Sequence, residues 1–423
     1  MATSIPFPDS KELTAWRHDF HQHPETAFEE QRTSARIAAL LGEWGFEVTT
    51  GIAGTGVVAA LDGQQGEGKT IGLRADIDAL DIREETGLAY ASQTPGKMHA
   101  CGHDGHTTML LGAAWALKQQ PDFKGRVVFI FQPAEENEGG GRAMVEDGLF
   151  ERFPMDAVYG LHNWPGLPVG VAAVHDTDVM AAFDIFSLTF TGKGCHAAMP
   201  HLGIDTVLAS CQLISQLQGL ISRETPPDKS AVLSVTSINA GDTFNVIPEQ
   251  VALRGTLRCF DMALKERLEA RFKQAIASLA DFHGLAVELD YQRCYPATIN
   301  TPAHAQHCAT VLEHLLGSDN VKRNPPPSMA SEDFSFLLGE RPGAYIWIGN
   351  GPGDCLADLV AHASNTNPPT TGNPTATDNC DLEMDFEFSN RLLGMAFGKL
   401  FSQVASQLVD SFTRRADDVY GRY

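Results

Sequence analysis

Apolar residues recur at three- and four-residue spacing from Leu13 to Phe20 and from Glu29 to Phe46, which predicts two amphipathic helices. Between them lies His21-Gln22-His23-Pro24-Glu25, where proline breaks the helical pattern and a solvated turn is the simplest reading of either histidine. The period then shortens. Gly56–Leu61 and Thr70–Leu80 read as strands around a polar hairpin tip, Asp62–Lys69. Asp76 and Asp78 stand two residues apart near the end of the second, which puts them on one face. An Ala/Leu-rich helix is predicted over Met109–Leu117, and Gly125–Phe131 is a continuous β-branched and aromatic run suited to a strand covered on both faces. Ala157–Leu161 is a third strand of this kind, ending in His162-Asn163-Trp164-Pro165.

Near residue 180 the pattern changes. Phe183–Phe190 alternates with period two, an antiparallel signature, and helices follow over Thr206–Leu220 and Ala263–Phe282. Strands near Ser230–Ala240, Glu249–Phe260 and Leu285–Tyr291 complete an α+β insert. From about Asn300 the first pattern returns, with a helix at Ala303–Leu316 and a strand at Ala344–Ile348. Residues 351–380, rich in Asn, Thr, Pro and Gly, read as a long mobile loop before a last helix over Asn390–Phe412. The expected architecture is α/β: a catalytic domain of residues 1–180 and 299–423 with a mixed, mostly parallel sheet flanked by helices, and a smaller α+β domain, 181–298, inserted in it.

Composition narrows the function. The 423 residues carry 31 Lys+Arg against 53 Asp+Glu, a net charge of −22, so nucleic acid and anionic membrane are not expected partners. No apolar run is long enough to span a bilayer, and the first ten residues lack a basic and apolar leader pattern. The eight cysteines contain no CxxC pair; reduced thiols in a cytoplasm are the expectation.

The richest chemistry lies in Lys97-Met-His-Ala-Cys-Gly-His-Asp-Gly-His106, which puts one thiol and three imidazoles into eight residues. Thiolate and neutral imidazole hold borderline-soft divalent metals, and Cys101-x-His103 lets both point from one extended turn. Alone, such a pair is more often a buried cysteine beside solvated histidines. Two further segments shift the balance. The strand ending at Phe131 delivers adjacent carboxylates, Glu135 and Glu136, and the next delivers His162. Neighbouring buried carboxylates repel, and a divalent cation resolves the conflict if one coordinates it while the other serves as general base. The carboxyl edge of an open α/β sheet is where ligands bind.

Taken together, His21-x-His-Pro-Glu25, Leu73-Arg-Ala-Asp-x-Asp-Ala-Leu80, Met98–His106, Phe131-Gln-Pro-Ala-Glu-Glu136, Gly160-Leu-His162 and Gly194-Cys-His-Ala-Ala-Met-Pro200 resemble the M20 metallopeptidases. Asn245-Val-Ile-Pro248 and Ser331-Glu-Asp-Phe334 fit as well. The resemblance is to the amidohydrolase branch of hippurate hydrolases, aminoacylase-like enzymes and indole-acetyl-amino-acid hydrolases.

It implies two divalent ions per subunit, zinc or manganese with cobalt as an option, held by Cys101, His103, Glu136 and His162. Glu135 would be the general base and acid, and Asp78 an orienting carboxylate. His196, on the insert, would reach a neighbouring subunit's site and steady the oxyanion. Asn245 and Arg258 would hold the substrate carboxylate, the other reading of Arg258 being an exposed strand charge. His99, His106, His175 and His201 are read as structural or supporting.

The family's last histidine ligand precedes a Tyr-Asp-Phe soon after a Gly-Asn-Gly turn. Here the polar loop follows Gly349-Asn-Gly351, and only Met384-Asp385-Phe386 echoes that context. Alignment from that echo reaches Cys380, whereas counting from Gly351 reaches His362; Asp381 and Glu383 are further choices. Imidazole, the commonest protein metal ligand, favours His362.

The implied activity is hydrolysis of the amide of N-acyl amino acids, aromatic or aliphatic, to a carboxylic acid and a free amino acid. A dipeptidase or N-acetyl-diaminopimelate-type deacylase is the alternative within enzymes; a binding protein that kept the cleft without turnover is the one outside them. The insert is expected to act as a lid and to make a homodimer or higher homo-oligomer.

Overall fold

A computed structural model describes residues 8–136 and 138–351. In chain order these form α1 (Ser10–Gln22), α2 (Gln31–Glu43), β1 (Val48–Ile52), β2 (Gly56–Asp62), β3 (Thr70–Asp76), α3 (His103–Gln119), β4 (Arg126–Gln132), α4 (Gly140–Glu146), β5 (Ala157–Trp164) and β6 (Ala172–Val174). Then come β7 (Ala182–Thr191), β8 (Cys195–His196), α5 (Thr206–Gly219), β9 (Ala231–Ala240), β10 (Val246–Ile247), β11 (Gln250–Cys259), α6 (Met262–His283) and β12 (Ala286–Tyr295). Last are α7 (Pro302–Leu316), β13 (Val321–Arg323), α8 (Phe334–Glu340) and β14 (Gly343–Gly349).

The chain divides into two compact units. The second comprises Met180–Thr298 with Pro327–Glu332, and the first takes the flanking segments.

In the first unit eight strands form a mixed sheet in the order β1-β2-β4-β3-β5-β14-β6-β13. Its centre is parallel, β3 running with β4 and β5, and β5 with β14; β1, β2 and the β14–β6 pair are antiparallel. The central strands are buried along nearly their whole length, as continuous apolar runs require when both faces are covered. α3 is buried on almost every side, including its first turn, and packs its Leu110, Leu111, Ala113, Ala114 and Leu117 into the main core. α2 starts where the Glu25 carboxylate accepts the Arg32 and Thr33 amides at 3.0 and 2.8 Å.

In the second unit four antiparallel strands run in the order β9-β11-β7-β12. Phe186, Leu188 and Phe190 of β7 face the core in alternation, against Leu253 and Leu257 of β11 and Leu268 and Phe272 of α6. Asp205 and Asp261 cap α5 and α6 by accepting the Leu208 and Leu264 amides.

Several expectations change. The strand expected over Thr70–Leu80 ends at Asp76, because beyond it the chain pairs elsewhere, Ala79 with Thr26 and Leu80 with Met98. β5 runs through His162 to Trp164, so that histidine lies within a strand and not past its end; β14 beside it extends the register, His162 opposite Trp347. β1 was not expected. His21 is no solvated residue but 2% exposed. The expected mobile loop at 351–380 and helix over Asn390–Phe412 lie outside the described residues, apart from Gly351 itself.

Candidate metal centre

Cys101 sits on a bend directly before α3, and His103 is the first residue of that helix. The two therefore do not share an extended turn. Gly102 between them caps the helix with φ +92°, and a Cβ there would lie 2.5 Å from Asn163 Oδ1. Only glycine permits both the left-handed backbone and the close approach to β5. As a result Cys101 Sγ lies 3.3 Å from His162 Nε2, whose Nδ1 donates to the Asn163 carbonyl. The donor atoms of Cys101, His103 and His162 lie within 4.8 Å of one another, as do those of His103, Glu135 and Glu136. His103 belongs to both groups.

Asp78 aligns this shared histidine. His103 Nδ1 donates to the Asp78 carbonyl at 2.9 Å and approaches its Oδ1 at 3.2 Å; both are acceptors, so Nδ1 carries a proton and Nε2 is the ring atom that would offer a lone pair to a cation. The other Asp78 oxygen accepts the Glu136 amide at 2.9 Å. His103 Nε2 faces Asp76 Oδ2 at 3.7 Å and Glu136 Oε1 at 4.0 Å, too far for hydrogen bonds. Both His103 Nε2 and Glu136 Oε1 are buried without a hydrogen-bond partner. Buried polar atoms are normally satisfied. Two orphaned lone pairs beside a thiol and a second imidazole are the donor set that a borderline-soft divalent cation fills, so these residues fit the metal the sequence implied.

Titration follows from burial and neighbours. Burial, with Glu136 nearby, pushes the Cys101 thiol well up. Burial, only partly offset by His103, and the charge of Asp78 push Glu136 up to about 7. Burial and His106 push His162 down to about 3, which keeps it neutral as a ligand must be. On His103 burial opposes the charge, but Asp76 and its other anionic neighbours outweigh it and raise the pKa well above the usual range. A cation at this point would reverse the logic for Cys101 and His103 alike.

Beneath lies a polar layer in which the sequence reading marks His106 and Asp76 but not the partners Arg74, Asp333 and Arg17. His106 Nδ1 donates to Asp76 Oδ1 at 2.6 Å, while its Nε2 accepts the Asn163 amide at 3.0 Å. Arg74, wholly buried in β3, donates to Asp76 at 2.7 Å and to Asp333 at 2.9 Å. The Asp333 amide in turn donates to Glu135 Oε1 at 3.3 Å. On the far side of α3, Asp104 accepts from Arg17 at 3.1 Å and from His21 at 2.9 Å. His99 is buried with neither ring nitrogen bonded.

Cys101, His103, Glu135, Glu136, His162 and Asp78 thus lie together in the first unit. His196, Asn245 and Arg258 belong to the second unit. There β8 pairs with β10, His196 opposite Val246, and the Asn245 carbonyl accepts the Ala197 amide; His196 and Asn245 are exposed. Arg258 is not the exposed strand charge considered above. It is half-buried, stacked 4.3 Å over the Phe183 ring and bonded to the Met329 carbonyl at 2.9 Å. His362 and the alternatives Cys380, Asp381 and Glu383 lie outside the described residues.

The sequence profile of peptidase family M20/M25/M40 matches residues 72–368, a span that holds Asp78, Cys101, His103, Glu135, Glu136, His162, His196, Asn245, Arg258 and His362. The chain belongs to that family. This M20 chain is 41% identical over 340 residues to the N-acetyl-L-cysteine deacetylase of Bacillus subtilis, covering 80% of each protein. It is 38% identical over 334 residues to the hippurate hydrolase of Campylobacter jejuni, covering 79% of this chain and 87% of that one. Its fold matches Bacillus subtilis YxeP, described as a dinuclear metal-binding peptidase of family M20, with a TM-score of 0.74 and 30% identity across 95% of this chain and 98% of that one. The M20 chain is a metal-dependent amide hydrolase.

Proposed function

We propose that this hydrolase cleaves the amide of N-acyl amino acids, releasing a carboxylic acid and a free amino acid. One observation carries the reading: His103 joins two donor groups, and its Nε2 lone pair and Glu136 Oε1 are left unspent beside a second glutamate, Glu135. The names of relatives that act on hippurate and N-acetylcysteine support the substrate class.

In this reading two ions are held by Cys101, His103, Glu136 and His162, with His362 as the last ligand. When bound they polarise the scissile carbonyl and lower the pKa of the attacking water. Glu135, buried and held through its Oε1 by the Asp333 amide, takes the proton from that water and later passes it to the leaving amine. Asp78 keeps His103 in the tautomer that ligation needs and fixes the Glu136 backbone. His196 donates to the oxyanion of the tetrahedral state. Arg258, its guanidinium pinned by Phe183 and Met329, is a rigid fork for the substrate carboxylate, with Asn245 beside it in that role.

Zinc and manganese both suit the donor set, and cobalt shares it. The chain works as a homodimer or higher homo-oligomer through its second unit, where Val232, Ile238, Phe244 and Val246 are exposed and β9 is an edge strand. No helix of the described residues is long and apolar enough to cross a membrane; a cytoplasmic location is part of the proposal. Assay of the parent and Glu135→Gln on a panel of N-acyl amino acids, with Mn²⁺ or Zn²⁺ added, tests the reading. Turnover by the parent and its loss in the variant are expected; equal turnover in both would refute the role of Glu135.

A further inference from the structure

Three consecutive residues at the metal centre are each held by an acidic residue from elsewhere in the first unit. The Glu136 amide donates to Asp78, and the Glu135 carboxylate accepts from the amide of Asp333. The Ala134 amide donates to Glu30 Oε1 at 2.9 Å, and the second oxygen of Glu30 accepts the Thr55 hydroxyl at 2.6 Å. Glu30 is 0% exposed and stands 104 residues earlier in the chain. A carboxyl group is costly to bury, and here both of its oxygens are satisfied by donors from other segments of the chain.

The residue it grips is the unusual one. Ala134 has φ +54°, a left-handed conformation that an alanine avoids, and its carbonyl closes a turn by accepting the Gly140 amide at 2.8 Å. That single backbone reversal sets the direction in which Glu135 leaves β4.

We propose that Glu30 is a positioning residue for catalysis: its buried carboxyl locks Ala134 in the left-handed conformation and thereby fixes where the Glu135 carboxylate stands. The inference rests on Glu135 as the proton-transfer group. Glu30 offers Ala134 an acceptor in either protonation state, so the lock persists although burial pushes its pKa up to about 7.

The test uses the full, metal-loaded chain. Glu30→Ala is expected to lower kcat by about tenfold to a hundredfold with KM changed less than about twofold and metal content equal to the parent. Glu30→Gln, which keeps the acceptor, is expected to restore kcat to within about threefold of the parent. Adding Ala134→Gly to Glu30→Ala recovers part of the loss, because glycine enters the left-handed region without penalty. Should Glu30→Ala not fold, Thr55→Val carries the test: it removes the hydroxyl that orients the carboxyl, and kcat falls several-fold at unchanged metal content.

An unchanged kcat in folded, metal-loaded Glu30→Ala, or in Thr55→Val where it stands in, would overturn the proposal. So would a Glu30→Gln variant as slow as Glu30→Ala, since charge and not the acceptor would then matter. Glu135→Gln separates the two readings. If it keeps turnover, the base assignment fails; if it loses turnover while Glu30→Ala does not, only the positioning role fails.

Discussion

Arg74 and Asp333, 259 residues apart, meet through Nη2 and Oδ1 at 2.9 Å with both side chains wholly buried. The same guanidinium reaches Asp76 through Nη1, and the amide of Asp333 reaches Glu135. Asp333 also accepts the Gly141 amide at 2.7 Å, so one carboxylate ties β3 to the start of α4. Neutralising it leaves a buried guanidinium with half its compensation. Asp333→Asn is therefore expected to destabilise the fold by about 3 kcal/mol, read from urea unfolding. A loss within error of zero would mean that Asp76 alone satisfies Arg74.

Asp78 spends its atoms on two donor residues, holding the His103 ring and the Glu136 backbone. Removing its carboxylate leaves the ring held by the Asp78 carbonyl alone and the Glu136 amide without its acceptor. Asp78→Ala is expected to weaken metal binding about tenfold to a hundredfold, measured by competition with a chelator while circular dichroism stays that of the parent. Unaltered affinity would show that His103 is held by its backbone contact alone.

These two aspartates mark where the sequence could be read and where it could not. Gly125–Phe131 was legible as an unbroken apolar run and Phe183–Phe190 as a period-two alternation, and burial satisfies each pattern. The start of α3 was not, because His103, Asp104 and His106 make its first turn look polar, and only their buried partners reveal it as helix. Strand β1, Val-Thr-Thr-Gly-Ile, is short and half exposed, and carries almost no apolar signal. Buried acids are the hardest case. The partners of Glu30, Asp76, Asp104 and Asp333 lie far along the chain, and no local spacing encodes them. Single-residue spacing did bring Cys101, His103, Glu135, Glu136 and His162 to notice, because thiol, imidazole and paired carboxylates are uncommon at strand ends.

His21 shows the same effect in its pH dependence. Burial opposes its charge, but hydrogen bonds to Asp104 and Glu84 raise its pKa to about 9 from an ordinary value of 6.5. A raised histidine stabilises the fold fully below its unfolded pKa and loses that contribution as pH rises through the folded one. Stability should therefore fall by about 3 kcal/mol between roughly pH 6.5 and pH 9, and His21→Gln should flatten that slope. A parent slope that survives in His21→Gln would place its origin elsewhere.

Metal binding to the folded state alone must also stabilise it. Saturation at a hundredfold over Kd contributes about 2.7 kcal/mol per site, so chelation should lower the melting temperature and added Mn²⁺ or Zn²⁺ should restore it. His103→Ala removes the residue common to both donor groups, and is expected to abolish most of that metal-dependent shift. A shift of parental size in the variant would contradict the sharing.

Anomalous diffraction from crystals grown with excess Mn²⁺ or Zn²⁺ tests the central claim most directly. The account predicts two peaks per chain, both touching the cluster of Cys101, His103, Glu136 and His162, with Glu135 beside them but bound to neither. Peaks elsewhere, or no peak within that cluster, would contradict it.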